Sequence, residues 1–398
     1  MMQPSIGYTY KRLLSLSFNG TDRMTIPIGY AKSLTTMRFE HEGRVGELLP
    51  IVLLNALLNI LTLGFYRFWA RTRVRRFLWG NTALLGDRFE YTGTGGELFK
   101  GFLFVLFAVL LPITVTNIIA ELYFADNDII YGVYNFTLLV AIWFLIGVAI
   151  YRARRYRLSR TRWRGVRAAQ TGPAAAYGAQ YLGFLFLNLL TLGWTYPLMR
   201  IRLMSRMMNH TWFGDRKFEF SGSSGPLFKR FAIIWLGCAA AGVAIWLLYL
   251  LLPETHSFIR NPDSFVYVDP ENFHVYEFPI WMIVVAGLMA FIILPPIIFC
   301  AYTVKEFRYF AECTTFDSAR FTFNATVGAL LWLIVGNIVI NLLTLGLGLP
   351  FTQMRVFRFV CDRLSAEGEI DIDAIIQNAE KRSGLGEGLA DAFDIGAV

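Results

Sequence analysis

The sequence predicts an all-α polytopic membrane protein with three internal repeats and short cytoplasmic β-hairpins. The first observation is composition: 55% of the 398 residues are hydrophobic and 17% are charged, whereas a soluble domain carries about 25% charged residues. The second is a hexamer ending in Thr-Leu-Gly that occurs three times, at Asn59–Gly64, Asn188–Gly193 and Asn341–Gly346. A motif that recurs this way indicates internal repetition.

The similarity between copies extends beyond the hexamer. At constant spacing, Arg71 matches Arg200, and the triplet that starts at Phe89 matches the triplet that starts at Phe218. These matches place the repeats at about residues 38–102, 163–231 and 315–360. The repeats lie in a predicted membrane domain, residues 38–360. A polar extension, residues 1–37, precedes this domain, and an acidic cytoplasmic tail, residues 361–398, follows it.

Seven apolar segments are close to the roughly 20 residues that a membrane-spanning helix requires. The N-terminus lacks the apolar core and cleavage site of a signal peptide, so we expect the first segment to direct insertion. The segments are residues 47–66, 101–123, 133–150, 180–199, 231–252, 279–302 and 328–351.

Loop charge predicts which side of the membrane each segment faces, because short cytoplasmic loops are rich in Lys and Arg. Residues 67–100, 151–172 and 199–230 are basic and are expected to be cytoplasmic. Residues 125–130 and 253–278 are acidic and are expected outside. Both termini are then cytoplasmic.

The three segments that contain the hexamer have basic residues on both flanks, so a single crossing conflicts with their charge. We therefore expect segments 47–66, 180–199 and 328–351 to be re-entrant or interfacial hairpins, and the other four to cross. Each hairpin would break at Thr-Leu-Gly, with glycine in the left-handed conformation. Seven full crossings remain the alternative.

Short strands are expected on the cytoplasmic side. Residues 81–93 and 210–222 read as hairpins with a tight Gly-Asp turn, and further strands fit residues 38–43, 165–170 and 319–324. Together they predict a small β-layer under the helices.

Three stretches carry a resemblance to a known family. They are GELLPIVLLNALLNILTLGFYRFWARTRVRRFLWGNTALLGDRFEYTGTGGELFKGF, YRARRYRLSRTRWRGVRAAQTG and GEGLADAFD. The chain resembles the YjgN-like family of bacterial inner-membrane proteins from about Arg38 to the C-terminus. The resemblance implies a multi-pass protein of the bacterial inner membrane. It implies no activity and no catalytic residue.

The first candidate site is the glycine-rich junction between each hairpin and the following helix. N–H groups at a helix N-terminus favour an anion, such as a lipid phosphate, and neighbouring lysines add charge. The alternative is that the Thr and Ser residues cap helices and the lysines extend to the membrane surface. The residues are Gly93, Thr94, Gly95, Gly96 and Lys100, with Gly222, Ser223, Gly225 and Lys229 in the second copy.

The second candidate is the arginine-rich stretch that includes Arg152, Arg154 and Arg155. Arginines near an anionic membrane surface contribute about 1 kcal/mol each to lipid attraction. Alternatively they only set topology. Anionic membrane lipids are the expected partners, and nucleic acid is not.

The third candidate is the polar set at the helix breaks. These side chains either line a polar path or bind an ion, as in transporters built from repeats, or they cap the break and bridge helices. The set is Asn59, Thr62, Gly64, Asn188, Thr191, Gly193, Asn341, Thr344 and Gly346.

Catalytic and metal-binding patterns are absent from the sequence. The four cysteines are far apart and form no CxxC pair, and only His274 and Glu277 have a spacing close to that of a metal pair. We expect no enzyme activity, metal or cofactor. The leading functional hypothesis is transport of a small solute or lipid, and the alternative is a non-catalytic membrane organiser that binds anionic lipid or a protein partner through its Arg-rich loops.

Overall fold

A computed structural model describes residues 36–251, 289, 297–368, 370 and 375. Several predicted features lie outside these residues. They are most of the N-terminal extension, the loop 253–278 with His274 and Glu277, most of the fourth expected span at 279–302, and most of the acidic tail.

The described residues contain a closed antiparallel barrel of ten short strands, so the all-α prediction is wrong. The sequence located individual hairpins and strands, but closure depends on pairing between opposite ends of the chain. Met37 lies opposite Ala366 where the first and last strands meet. The strands are β1 (Thr36–His41), β2 (Thr82–Leu84), β3 (Asp87–Tyr91), β4 (Thr161–Trp163), β5 (Val166–Gln170), β6 (Thr211–Phe213), β7 (Arg216–Phe220), β8 (Thr314–Phe316), β9 (Ala319–Phe323) and β10 (Leu364–Glu367).

Helices join the strands at one rim of the barrel. A π-helical turn, Leu106–Leu110, links two of them into one continuous helix, Gly95–Phe124. The helices are α1 (Val45–Leu61), α2 (Arg67–Gly80), α3 (Gly95–Val105), α4 (Leu111–Phe124), α5 (Asp128–Arg160), α6 (Ala174–Leu190), α7 (Tyr196–Met208), α8 (Gly225–Leu251), α9 (residues 297–312), α10 (Val327–Leu343) and α11 (Leu349–Cys361).

Two-residue β-turns occupy the opposite rim. Leu85 and Gly86 both have positive φ, at 54° and 82°, as a type I′ hairpin turn requires. This turn lies one residue before the expected Gly-Asp, whereas the turn at Gly214-Asp215 is where the sequence predicted it. The strands expected at 38–43, 165–170 and 319–324 are confirmed as β1, β5 and β9 to within two residues.

Aromatic side chains fill the barrel. Successive residues of a strand point to opposite faces, and the inward positions are apolar while the outward positions are largely charged. Trp163 has its ring centroid 6.2 Å from that of Phe89 and 5.9 Å from that of Phe213. The inward residues near mid-barrel are Phe39, Leu84, Phe89, Trp163, Ala168, Phe213, Phe218, Phe316, Phe321 and Ala366. The barrel is therefore a packed core.

Barrel and helices form five sectors of the same construction in the described part of the chain. In each sector a helix that runs toward the barrel, here called descending, leads into a strand. The neighbouring strand around the barrel leads into a helix that runs away from it, and this strand and helix are called ascending. The sectors are α2-β2-β3-α3, α5-β4-β5-α6, α7-β6-β7-α8, α9-β8-β9-α10, and α11-β10 with β1-α1. The expected three-repeat arrangement missed this because the hexamer marks only three of the five connections between sectors.

The same backbone hydrogen bond links each pair of neighbouring sectors at the helix-side rim. In each case the N–H just after an ascending strand donates to a carbonyl at the end of the next descending helix, at 2.8 to 3.0 Å. The donor and acceptor pairs are Glu42 with Asn81, Thr92 with Arg160, Thr171 with His210, Ser221 with Cys313, and Asn324 with Arg363.

The connections between sectors are of two kinds. Three are short hairpins that turn at the hexamer: α1 with α2, α6 with α7, and α10 with α11. Among the described residues, three helices are long and apolar enough to cross a membrane, Gly95–Phe124, Asp128–Arg160 and Gly225–Ala244, and all belong to the other two connections. The first helix of each short hairpin is apolar but has only 17 residues.

Candidate functional site

The three hexamers form the same backbone structure at the tips of the short hairpins. In the first, Leu63 has φ 51° and Gly64 has φ 88°. The left-handed glycine is therefore confirmed, but the sequence did not show that the preceding leucine is left-handed too. A left-handed conformation costs a residue with a Cβ atom roughly 1–2 kcal/mol. Leu192 with Gly193, and Leu345 with Gly346, repeat these angles within 5° of the first pair.

Local hydrogen bonds satisfy the backbone at each tip. The N–H of Gly64 donates to the Asn59 carbonyl at 2.7 Å, which is the long bond of a Schellman helix end. The Thr62 hydroxyl donates to Leu58 O at 2.7 Å and accepts from the N–H of Tyr66 at 2.9 Å. The bonds equivalent to Gly64–Asn59 join Gly193 to Asn188 at 2.6 Å and Gly346 to Asn341 at 2.8 Å. The threonines of the hexamers thus cap the breaks.

The asparagine side chains of the three breaks differ. The Asn188 Oδ1 accepts from the Thr195 hydroxyl at 2.7 Å. The Oδ1 atoms of Asn59 and Asn341 are buried without a hydrogen-bond partner. Thr191 and Thr344 each donate to the carbonyl four residues earlier at 2.7 Å. Nearly all side-chain hydrogen bonds of the break residues remain within their own hairpin.

Apolar side chains at the tips are highly exposed. Leu63 is 90% exposed, Leu192 76% and Leu345 93%. Residues at the ends of the adjoining helices, such as Leu61 and Leu190, are also more than two-thirds exposed. A helical hairpin that ends in leucine, with its backbone closed on itself, is suited to an apolar environment.

The first glycine-rich junction is occupied by capping and packing contacts. The Thr94 hydroxyl accepts from the N–H of Glu97 at 3.3 Å and caps α3. A Cβ atom on Gly95 would lie 2.6 Å from the Trp69 ring, so glycine allows α3 to pack against α2. Lys100 is exposed, and Gly96 faces open space.

The second junction makes different contacts. The backbone N–H of Ser223 donates to the Tyr309 hydroxyl at 2.9 Å, and this hydroxyl donates to Ser223 O at 3.0 Å. Lys229 is exposed, and Gly225 faces open space, while a Cβ atom on Gly222 would clash with the Phe220 ring. Anion binding at either junction stays a prediction.

The structure separates the three candidate arginines. Arg154 donates to the Thr211 hydroxyl at 2.7 Å and to Gln170 Oε1 at 3.2 Å. Arg155 donates to Gly172 O. Arg154 and Arg155 are therefore occupied by contacts within the protein. Of the three arginines, only Arg152 is on the surface.

Sequence reasoning missed a set of arginine contacts that holds four sectors together. Each arginine lies on a descending helix and donates to the carbonyl two residues after the ascending strand of its own sector. The pairs are Arg76 with Gly93, Arg155 with Gly172, Arg308 with Ala325, and Arg358 with Gly43. In the remaining sector Ser205 takes this position. In the sequence, the four arginines and Ser205 each follow a basic residue by three positions, and this shared spacing was the signal that could have revealed the set.

Two ion pairs across sector boundaries were also missed. Arg160 contacts both carboxylate oxygens of Glu97 at 3.0 Å. Arg200 donates to Glu306 at 2.7 and 3.2 Å, and the Glu306 side chain is only 1% exposed. Sequence alone could not pair these residues, because up to 106 positions separate the partners.

His41 lies where the barrel meets the helices. Its Nδ1 is 2.9 Å from the Thr82 hydroxyl. Burial lowers the pKa of His41, the positive charge of Arg358 lowers it further, and Asp362 opposes the shift. In the described part of the chain, no group of three or more His, Cys, Asp or Glu side chains is arranged to hold a metal ion.

Comparison with known proteins identifies the family. A family model described as "Bacterial protein of unknown function (DUF898)" matches residues 36–392. The chain belongs to this family. The expected resemblance to YjgN-like proteins is also confirmed.

The curated relatives are proteins called "Inner membrane protein YjgN". The protein from Escherichia coli O157:H7 is 34% identical over 120 residues, which cover 29% of this chain and 27% of the relative. The protein from Escherichia coli K12 is 40% identical over 67 residues, covering 16% and 17% of the two chains. That from Salmonella typhimurium is 36% identical over 72 residues, covering 18% of each. The chain thus spans about a quarter or less of each relative. No solved structure matches it.

Proposed function

We propose that this chain is a multi-pass protein of the bacterial inner membrane that moves phospholipid between leaflets beside three re-entrant hairpins. The two long connections cross the membrane, and the three short hairpins enter it only from the cytoplasmic side. The five sectors are copies of one structural unit, and the barrel lies in the cytoplasm. The relatives' names support the inner membrane as the location. The exposed leucines at the three tips carry the proposal.

The barrel supports the re-entrant path. Both ends of each short hairpin join neighbouring strands of one closed barrel. A hairpin with both ends at one rim enters and leaves the membrane on the same side. The basic flanks of the same segments favour the cytoplasmic side.

Helix length supports the effect on lipid. Even a whole 17-residue helix is only about 25 Å long at 1.5 Å per residue, which is less than the roughly 30 Å thickness of the hydrocarbon core. A hydrophobic element shorter than the bilayer thins it locally. Because a headgroup then crosses less hydrocarbon, the barrier to its movement between leaflets falls beside the short hairpins. The packed barrel interior does not offer a path for solutes.

The insertion model, in which the short hairpins enter the membrane only from the cytoplasmic side, is tested by labelling single cysteines. The labelled variants lack the four native cysteines. Cysteines at Leu63, Leu192 and Leu345 should resist a membrane-impermeant maleimide from either side. Asn127→Cys, between α4 and α5, should react only from outside, and Lys217→Cys, on the barrel exterior, only from the cytoplasm. Reaction of the tip cysteines from outside would show that the short segments cross.

Lipid movement is tested in vesicles that contain fluorescent phospholipid. Dithionite should bleach the inner-leaflet lipid of vesicles with the protein and leave that of protein-free vesicles protected. Leu63, Leu192 and Leu345 changed together to Gln should slow the bleaching. Leu122→Gln, at a 74% exposed site on a long connection, is the matched control. Bleaching equal to that of protein-free vesicles would refute lipid movement.

A further inference from the structure

Four threonines make the five sectors comparable residue by residue. Each begins the strand that follows a descending helix, and each donates its hydroxyl to the carbonyl four residues earlier. The bonds join Thr82 to Leu78 at 2.8 Å, Thr161 to Arg157 at 2.9 Å, Thr211 to Met207 at 2.8 Å, and Thr314 to Phe310 at 2.6 Å. Leu364 holds the equivalent position at the start of β10. Positions counted back from these five residues therefore lie at the same place in each sector.

A cation occurs in all five sectors nine positions before the strand begins. We call these residues the cation belt: Arg73, Arg152, Arg202, Lys305 and Arg355. The residue just before each belt cation is buried in every sector: Thr72, Tyr151, Ile201, Val304 and Met354. The belt side chains consequently leave the same face of their helices at the same height above the barrel.

The belt cations remain available for a ligand. Four are exposed, and Arg355 is half-buried against Gly336. The Arg73 guanidinium lies 5.7 Å from the Tyr66 ring centroid. Within the described residues no belt cation forms an ion pair with a carboxylate. The arginines three positions later, in contrast, donate to backbone carbonyls in four sectors.

We propose that the cation belt binds the phosphate groups of anionic phospholipids at the cytoplasmic surface of the membrane. Nine residues of helix place the belt about 13 Å above the rim. Beyond this level α5 and α9 are apolar, whereas α2 carries Arg71 and Arg67 further from the barrel. Arginine suits this role, because its planar guanidinium can donate two hydrogen bonds to a phosphate. Setting topology requires positive charge on one side only, whereas the belt keeps one cation at one register in every sector. The proposal rests on the insertion model above but not on lipid movement.

The test measures binding of fluorescent phosphatidylglycerol to the whole protein in neutral detergent micelles. The belt variant changes Arg73, Arg152, Arg202 and Lys305 together to Gln. A matched control removes the same charge from exposed sites on the barrel exterior by changing Arg38, Arg88, Lys217 and Arg320 to Gln. Each cation near an anionic surface contributes about fivefold in affinity, so the belt variant should lose at least tenfold and the control less than twofold.

Two further measurements keep the proposal falsifiable. Arg73, Arg152 and Arg202 changed together to Lys keep the charge and should retain most of the binding. Excess inorganic phosphate should not displace the lipid, and displacement would assign the belt to free phosphate. Equal losses in the belt and control variants would indicate a non-specific field and overturn the proposal. Normal lipid binding by the belt variant would also overturn the proposal. It would do so even if labelling at Lys217→Cys showed that the protein inserts into the membrane in the opposite orientation.

Discussion

The barrel interior and the hairpin tips are both apolar, but the protein covers only the barrel interior. Trp163 is 4% exposed among the rings of the barrel, whereas Leu345 is 93% exposed. The barrel buries its aromatic residues against one another. The tip leucines keep most of their surface exposed, although the Leu192 carbonyl accepts a hydrogen bond from Trp235 Nε1 at 2.9 Å. An apolar stretch in the sequence therefore does not reveal whether other parts of the protein cover it.

The largest expected effect separates these two environments directly. Trp163→Ala should lower the free energy of unfolding by about 3–5 kcal/mol, because it leaves a cavity among packed rings. Leu63→Ala at an exposed tip should change it by less than about 0.5 kcal/mol. Denaturant unfolding in detergent measures both. Equal losses would mean that the tip packs against protein.

Loss of a buried ion pair should have the next largest effect. Arg200→Met leaves the Glu306 carboxylate, 1% exposed, without its partner, and should cost about 3 kcal/mol. Arg216→Met breaks the surface pair with Asp317 and should cost at most about 1 kcal/mol. Thermal unfolding of the two variants gives the comparison. A similar small cost for both would indicate that water reaches Glu306.

The tip backbone can be tested independently of lipid. Gly193→Ala places a Cβ atom at φ 83° and should destabilise the protein by about 1–2 kcal/mol. Gly183→Ala, within α6 where a Cβ atom meets nothing within 4 Å, should stabilise it by up to about 1 kcal/mol. Unfolding in detergent should give opposite signs. The same sign for both would show that the tip rearranges outside a membrane.

The smallest expected effect is a pH dependence at the junction of barrel and helices. Because burial lowers the pKa of His41 in the folded protein, the unfolded chain takes up a proton first as pH falls. The contribution of neutral His41 is complete above its ordinary pKa of 6.5 and is lost below it, down to the folded pKa. Unfolding between pH 7 and pH 5 should show this loss in the native chain and less of it in His41→Gln. An unchanged slope in the variant would assign the dependence to other groups.

Local signals located most of the individual elements but not their assembly. The Thr-Leu-Gly breaks, two hairpins and three further strands were predictable, because turn residues and alternating patterns act over a few neighbours. The partners of Arg160 and Arg200 were not, since the chain between the paired residues gives no sign of which sectors meet. Arg154 and Arg155 showed the same limit: one arginine-rich stretch contains both internal contacts and the exposed Arg152.

The sequence by itself determined the apolar segments, the basic flanks and the positions where the helices break, because each follows from composition or from the conformational preferences of adjacent residues. Only the tertiary structure decided that ten strands close into one barrel and that five sectors share one register. Closure pairs Thr36 with Glu367, near opposite ends of the described chain. Such long-range pairing depends on all the sectors packing together, so no local stretch of sequence specifies it.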